Sequence, residues 1–268
     1  MKRRITSGHS ARVVWTHAGI LLRVTRNELR TRYAGSLLGA GWLFVYPLVL
    51  LAIYAAVYQV IFRVEVPRLT PGQYVLYVFA GLAPFLMMAE ALSQSVSSVV
   101  SNKFILTSVV FPLDLVVPKA VLLSQGSMIV GVVLIVLTNV VTGHATWTVV
   151  LVPVLWALFL VAITGFAWML SLIHVVFRDL QNLLGLVLMV ALIASPIAYT
   201  PDMVPARLRP LLDLNPFAHF AMAYQQLLVL GELPSLAHAV VIVALAGGLF
   251  GLGGWFFGRA KRVFVDYV

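Results

Sequence analysis

Few side chains in this sequence have the spacing that catalysis requires. The nine acidic residues form no close pair for general acid–base work, and the six histidines form no H-x-x-x-H or H-E-x-x-H pair for a metal. Cysteine is absent, and the sequence lacks both the G-x-x-x-x-G-K-[ST] loop that cradles phosphates and the G-x-S-x-G nucleophile elbow. We therefore predict no catalytic residue, no metal site and no cofactor in this chain, and ATP hydrolysis would need another subunit.

The elements that carry these scattered residues are strongly apolar. Hydrophobic residues make up 62% of the 268 positions, charged residues make up 10%, and the mean hydropathy is +1.02, whereas soluble domains are about 45 to 50% apolar. Runs of roughly 20 apolar residues cross a bilayer as helices, because lipid offers backbone polar groups no other partner. We predict an all-α polytopic membrane protein with six transmembrane helices, at residues 37–62, 73–92, 119–141, 147–170, 183–199 and 237–257.

Arginine and lysine are distributed unevenly between the connections of this predicted bundle. If the N-terminus is cytoplasmic, fourteen of the 18 Lys and Arg residues lie on the cytoplasmic side, and the other four are Arg63, Arg68, Arg207 and Arg209. Cytoplasmic connections are enriched in these residues, so we predict that both termini are cytoplasmic. The net charge of +9 is then mainly a topology signal, and we predict no nucleic-acid partner.

Residues 11–33 precede the first predicted span and have the pattern of an amphipathic helix that lies in the membrane interface. Its arginines, Arg30 among them, fall on one helical stripe, and apolar residues such as Leu22 fall on another. Glu28 and Arg32 are spaced as an i, i+4 pair. The segment is either a plain cytoplasmic anchor or a device that positions a partner or a substrate headgroup.

Two connecting segments are too long or too apolar for simple loops. The cytoplasmic stretch at 93–119 contains F-P and V-P pairs that end helices, so we predict one or two short helices at the membrane surface. The outer stretch at 199–235 contains five prolines. We predict that it forms short re-entrant helices, because exposed irregular backbone is not tolerated in the outer leaflet.

Four segments of this sequence resemble, in the same order, segments of one known family. They are RNELRTRYAGSLLGAGWLFVYPLVLLAIYAAVYQVIF, SVSSVVSNKFILTSVVFPLDLVVPK, VVFRDLQNLL and SPIAYTPDMVPARLRPLLDLNPFAHF. The family is that of the type-2 ABC permeases that export bacterial polysaccharides, namely O-antigen, capsule and teichoic acid. The resemblance covers nearly the whole chain, which on this basis is identified as a single permease domain, 1–268.

The resemblance implies partners, a substrate and a location. Permeases of this family are half-transporters that form a homodimer around a central channel and bind two copies of a separate cytoplasmic ATPase, which holds the ATP and Mg²⁺. The implied substrate is a glycan, O-antigen first, on an undecaprenyl-diphosphate-type lipid, and the implied location is the bacterial inner membrane. Two alternatives stay open: an exporter of drugs or small lipids, and a passive channel or scaffold without an ATPase.

The resemblance also assigns roles to positions of this chain. It implies a cytoplasmic coupling helix at 98–112 that binds the ATPase, and outer helices at 201–230. The coupling residues expected are Asn102, Lys103, Phe104, Phe111 and Pro112. The residues expected at a cytoplasmic gate or headgroup site are Arg30, Arg32, Glu90, Arg178 and Asp179.

Glu90 is the one clearly ionisable residue inside the predicted spans, near the inner end of the second. One hypothesis is that it pairs with Arg178 across the inner mouth and gates it. The alternative is an ordinary structural ion pair or a partly exposed carboxylate.

The first predicted span carries a row of aromatic rings at every fourth position, interrupted by Leu50. The row consists of Trp42, Tyr46, Tyr54, Tyr58 and Phe62. Such a row forms one slanted ridge on a helix, and the span is ~39 Å long at 1.5 Å per residue. Because ring faces stack on sugars, we hypothesise that the ridge lines a glycan path. The alternative is that the two end rings belong to the interfacial belt and the tyrosines pack between helices.

Overall fold

A computed structural model describes residues 10–32, 37–57, 69–102 and 112–265 of the chain. Every regular element in these ranges is helical, which confirms the predicted all-α class. The helices are α1 (Ser10–Thr16), α2 (Ala18–Arg32), α3 (Trp42–Ala55), α4 (Pro71–Ser101), α5 (Val116–Leu123), α6 (Gly126–Val141), α7 (Val152–Val176), α8 (Leu180–Ala194), α9 (Arg209–Leu214), α10 (Pro216–Gln225) and α11 (Leu236–Val265).

Four helical stretches are long and apolar enough to cross a membrane. They are Pro71–Ser101, Leu113–Val141, Trp147–Val176 and Leu236–Lys261, and they correspond to the second, third, fourth and sixth predicted spans. The first of them, α4, has 31 residues and is ~46 Å long, well beyond the ~30 Å hydrocarbon core. The helix continues beyond the predicted end of the span at residue 92, where buried residues such as Ser95 and Val96 extend its packed face.

The helices at the first and fifth predicted spans are shorter. In the described part of the chain, α3 has 14 residues and α8 has 15, and the end of the first predicted span lies outside the described residues. α8 ends at Ala194 rather than at the predicted residue 199, because Pro196 disfavours the helical conformation for the residue before it. Ser195 is accordingly extended, with φ −92° and ψ 143°.

α4 lies at the centre of the packing. It begins at a capping box in which Thr70 and Gln73 bond to each other's backbone N–H. Along its length residues such as Val78, Met87 and Ala91 have no exposed surface. Helices α5, α6, α7 and α10 pack around it, so α4 is the fixed frame for residues at the inner end of the bundle.

The segment that the sequence predicts on the outer side does contain short helices. The predicted range 201–230 holds a 3-10 turn at Pro201–Met203, then α9, α10 and a π-helical turn at Gln226–Leu230. α10 is buried against α4 and α7, where Phe217 and Phe220 lie beside Phe159. This part of the chain therefore belongs to the core of the fold.

α7 and α11 are packed backbone to backbone. A Cβ placed at Gly253 would meet the carbonyl oxygen of Gly165, and one placed at Gly165 would meet the backbone of Leu249 and Phe250. The G-x-x-x-G spacing of Gly247 and Gly251 is not the contact, because both face open space. Glycine lets helix backbones approach this closely, so α7 and α11 form one unit.

The N-terminal segment is helical but differs from the predicted single helix at 11–33. It breaks at His17 into α1 and α2, and the buried face of α2 carries Leu21 and Thr25 rather than Leu22, which is exposed. The physical reason is that Glu28 and Arg32 lie on the same face and reach partners in the bundle, which fixes the rotation of the helix. The predicted pair within α2 is replaced by these longer-range contacts.

Candidate functional site

The predicted site residues divide into those that the structure describes and those that it does not. Tyr58, Phe62, Lys103, Phe104 and Phe111 lie outside the described residues. The described residues on either side of the predicted coupling segment, 98–112, form two groups of charged contacts, which we call the inner seam and the joint. The inner seam consists of Glu28, Arg32, Glu90, Gln94, Asn102 and Lys119.

The first part of the inner seam joins α2 to α4. An Arg32 Nη atom lies 2.6 Å from Glu90 Oε1, and the other Nη donates to the carbonyl oxygen of Leu123 at 3.2 Å. Gln94 Nε2 also donates to Glu90 Oε1, at 2.8 Å. The Arg32 and Glu90 side chains are 35% and 32% exposed, so water reaches this pair.

Within this chain Glu90 therefore forms a partly exposed ion pair with Arg32 and not with Arg178. α2 packs along α5 and so carries Arg32 to the side of α4 where Glu90 lies. Arg178 lies in the exposed turn before α8, together with Asp179. Arg30, on the opposite side of α2 from this contact, is exposed as well.

The second part of the inner seam connects α2 to the base of the coupling segment. Lys119 Nζ lies 2.8 Å from Glu28 Oε2 and 3.5 Å from Asn102 Oδ1. Asn102 is the residue that follows α4, and Pro112 resumes the described chain before α5. Lys119 thereby links α2 to the residue that ends α4, beside a shallow cavity of about 320 Å³ that Glu28, Thr31, Arg32, Gln94 and Leu123 line.

The joint consists of Asp114, Lys261 and Trp168. Lys261 Nζ lies 2.7 and 2.8 Å from the two carboxylate oxygens of Asp114, and the Trp168 indole N–H donates to the Asp114 carbonyl at 3.3 Å. The Lys261 side chain is 3% exposed and that of Asp114 is 6% exposed. This contact connects the base of the coupling segment with α7 and with the last turns of α11.

Sequence reasoning missed the joint, because it counted Lys261 only among the cytoplasmic cations and Asp114 only among the nine acids that form no close pair. A signal was available, because Asp114 stands alone among apolar residues in FPLDLVVP. A carboxylate in such surroundings requires a partner. The identity of that partner, 147 positions away, has no sequence signal.

The ring row on α3 lies on an exposed surface. Trp42 and Tyr46 are exposed, while Tyr54 is half-buried and packs against the core. Other apolar residues of α3, such as Phe44 and Val49, are as exposed as the rings, and Pro47 is its one buried residue. The whole described surface of α3 is apolar, so exposure alone does not single out the row.

Comparison with known proteins adds a family to this geometry. Residues 21–229 match the model of the ABC-2 type transporter family, a membrane domain of ABC transporters. The chain belongs to the ABC-2 type transporter family. Arg32, Glu90 and Asp114 lie inside the matched range of this ABC-2 domain, and Lys261 lies after it.

Curated relatives of this ABC-2 protein carry a more specific name. The chain is similar to the O-antigen export system permease protein RfbA of Myxococcus xanthus, with 24% identity over 260 residues, 96% of this chain and 98% of the relative. It is also similar to two proteins of the same name from Klebsiella pneumoniae, each 26% identical over 80% of this chain and 82% of the relative.

The two groups of charged contacts hold helices against one another. The two groups contain three carboxylates, of Glu28, Glu90 and Asp114, and three cations, of Arg32, Lys119 and Lys261. The charges therefore cancel in pairs at one end of the ABC-2 domain. Within the described ranges, no group of three or more His, Asp or Glu residues has the spacing to hold a metal ion.

Proposed function

We propose that this chain is the membrane-spanning subunit of a homodimeric ABC exporter that moves polysaccharide attached to an undecaprenyl-diphosphate-type lipid across the bacterial inner membrane. The polysaccharide proposed is O-antigen. ATP and Mg²⁺ are bound by two copies of a separate cytoplasmic subunit. The observation that carries the proposal is the match, over 96% of this chain, to a protein named an O-antigen export permease.

The proposed topology has six spans with both termini in the cytoplasm. It adds α3 and α8 to the four long helical stretches, as the first and fifth spans. The distribution of Lys and Arg supports this orientation. The ion pairs support it as well, because Arg32 of the N-terminal segment and Lys261 near the C-terminus both bind residues around the same coupling segment. The outer helices α9 and α10 are then re-entrant.

The proposed dimer and glycan path use the least packed helices. α3 buries Pro47 alone, and α8 buries Leu184 and Leu188 alone. Both helices otherwise present large apolar residues, including Ile193 and Tyr46. A second copy of the chain would cover part of this surface, and the ring row would line the part left open to the glycan.

The proposed coupling helix lies at 98–112 and binds the ATPase. Residues 98–101 are the last turn of α4, and 103–111 lie outside the described residues. The flanks of the segment support the proposal, because Asn102 and the 3-10 turn at Leu113–Leu115 are both tied to other helices. Because the segment is anchored on both sides, movement of a bound subunit displaces the attached helices as well as the segment itself.

The proposed function is tested by deleting the gene and restoring it on a plasmid. The deletion should abolish surface O-antigen on gels and cause lipid-linked glycan to accumulate inside the cell, as measured by mass spectrometry of lipid extracts. The restored chain, purified with a mild detergent, should carry a nucleotide-binding subunit with it. Unchanged surface polysaccharide with altered drug sensitivity would indicate a small-molecule exporter, and the absence of any ATPase would indicate a channel or scaffold.

A further inference from the structure

The joint is the one place in the described chain where a fully buried charge pair holds the coupling segment. We propose that Asp114 and Lys261 are positioning residues for transport, and that their bond passes movement of the coupling segment to α11 and α7. The inference rests on the proposed function, because it requires an ATPase that moves this segment. It assigns a transmission role to a pair outside the predicted gate and coupling residues.

The first argument is the cost of burying this pair. Removing two charges from water is unfavourable, and mutual attraction offsets the penalty only where the geometry is good and further bonds are made. Here the ammonium contacts both carboxylate oxygens at 2.7 and 2.8 Å, and the indole N–H of Trp168 binds the adjacent carbonyl. Such a bond is short and directional, so the two backbones it connects cannot slide independently.

The second argument is what lies on each side of the bond. Asp114 is in the 3-10 turn at Leu113–Leu115, directly after the coupling segment. On the other side, Lys261 belongs to α11, whose Phe250 and Phe257 rings lie 5.2 and 6.1 Å from the Trp168 ring of α7. Because α7 and α11 touch through their glycines, a displacement of Lys261 displaces both helices.

The third argument is the contrast with the inner seam. Its Arg32–Glu90 pair is about one-third exposed on both sides, whereas in the Glu28–Lys119 pair the carboxylate is 44% exposed and the Lys119 side chain is 8% exposed. Water competes for the Arg32–Glu90 pair, which therefore breaks at little cost. α2 can therefore shift relative to the coupling segment during a cycle, whereas the turn at Asp114 stays attached to α11.

The test separates transmission from simple structural support. The deciding variant replaces the pair by apolar residues of similar length, Asp114→Leu together with Lys261→Met, since buried ion pairs replaced in this way usually keep or gain stability. Export is measured as surface polysaccharide per folded permease in deletion cells. ATP hydrolysis is measured on the permease purified with the nucleotide-binding subunit that accompanies it.

We expect the ATPase purified with the apolar-pair variant to hydrolyse ATP near the native rate. The variant should export about tenfold less glycan per ATP, which is within the usual range of coupling between sites. The charge-swapped pair, Asp114→Lys with Lys261→Asp, should regain much of the native ratio. Arg259→Gln is the matched control, because it removes a neighbouring exposed cation of α11 and should leave the ratio unchanged.

Three results would overturn the inference. One is native export per ATP in the apolar pair, and another is a loss of export matched by an equal loss of ATP hydrolysis. If the apolar-pair variant does not accumulate in the membrane, the charge-swapped variant decides the question. In that variant, low glycan export per ATP at a native rate of ATP hydrolysis contradicts the inference. If the unmodified chain supports neither glycan export nor an associated ATPase, the proposed function itself is wrong.

Discussion

Two of the three ion pairs at this end of the bundle, Arg32–Glu90 and Asp114–Lys261, differ mainly in burial. The Arg32 and Glu90 side chains are 35% and 32% exposed, whereas Lys261 and Asp114 are 3% and 6% exposed. The N···O distances are almost equal, at 2.6 and 2.7 Å. Distance therefore says little about how firmly each pair holds its helices.

The surroundings of the two pairs decide their energetic roles. A half-exposed pair contributes little, because each charge regains water when the pair opens. A buried pair contributes little net stability either, but removing one partner leaves the other charged and dehydrated. The Arg32–Glu90 pair is thus a contact that can open, and the joint is a contact that must stay closed.

The largest effect is expected from breaking the joint on one side. Asp114→Asn leaves Lys261 buried without a counter-charge, and loss of one partner of a buried pair costs about 3 to 5 kcal/mol. We expect the thermal unfolding midpoint in detergent to fall by many degrees and little folded protein to remain in the membrane. The pair variant Asp114→Leu with Lys261→Met should keep a near-native midpoint, and equal losses in both variants would contradict the comparison.

The next largest effect on stability is expected at the backbone contact between α11 and α7. Gly253→Ala places a methyl group against the carbonyl oxygen of Gly165, so the helices must separate, at a cost of about 1 to 3 kcal/mol. Gly251→Ala on the same helix meets nothing and should gain up to about 1 kcal/mol from helix propensity. Unfolding midpoints of the two variants should therefore move in opposite directions.

A smaller change in stability is expected at the inner seam. Arg32→Gln removes a pair that water already reaches, so its cost should be below about 1 kcal/mol. Polysaccharide export should nevertheless fall, because this pair fixes α2 against α4 at the predicted gate. Charge exchange, Arg32→Glu with Glu90→Arg, should recover export in the assay of surface polysaccharide. A stability loss as large as that of Asp114→Asn would remove the distinction between the two pairs.

Much of the fold could be predicted from composition and periodicity. The apolar runs that became α4, α5 with α6, α7 and α11 were recognisable, because lipid allows an apolar run of that length one structure only. The short helices within 199–235 followed from prolines in an apolar stretch, and the narrower range 201–230 followed from the family resemblance. The ends of helices were less predictable, as at Ser95 and Val96 of α4, where packing against the core extends a helix beyond its apolar run.

The partners of the charged residues could not be predicted. One hypothesis paired Glu90 with Arg178 because both are predicted near the inner mouth, but within this chain the rotation of α2 gives it Arg32. That rotation is fixed jointly by Leu21, Thr25 and the ion pairs. No local pattern encodes such a combination, and the helix periodicity favoured Leu22. The same holds for Gly253, which packs against Gly165 although the regular glycine spacing passes through Gly247 and Gly251.

The smallest effect on stability is expected for exposed residues of α3. Tyr46 and Val49 are both 50% exposed on this helix, but Tyr46 belongs to the ring row and Val49 does not. Substituting either by alanine should change the free energy of unfolding by less than about 0.5 kcal/mol, as for surface positions. Export should fall in Tyr46→Ala and stay native in Val49→Ala if ring faces carry the glycan. Equal export from both variants at equal expression would mean that α3 serves as apolar surface alone, and that transport depends on the inner seam and the joint.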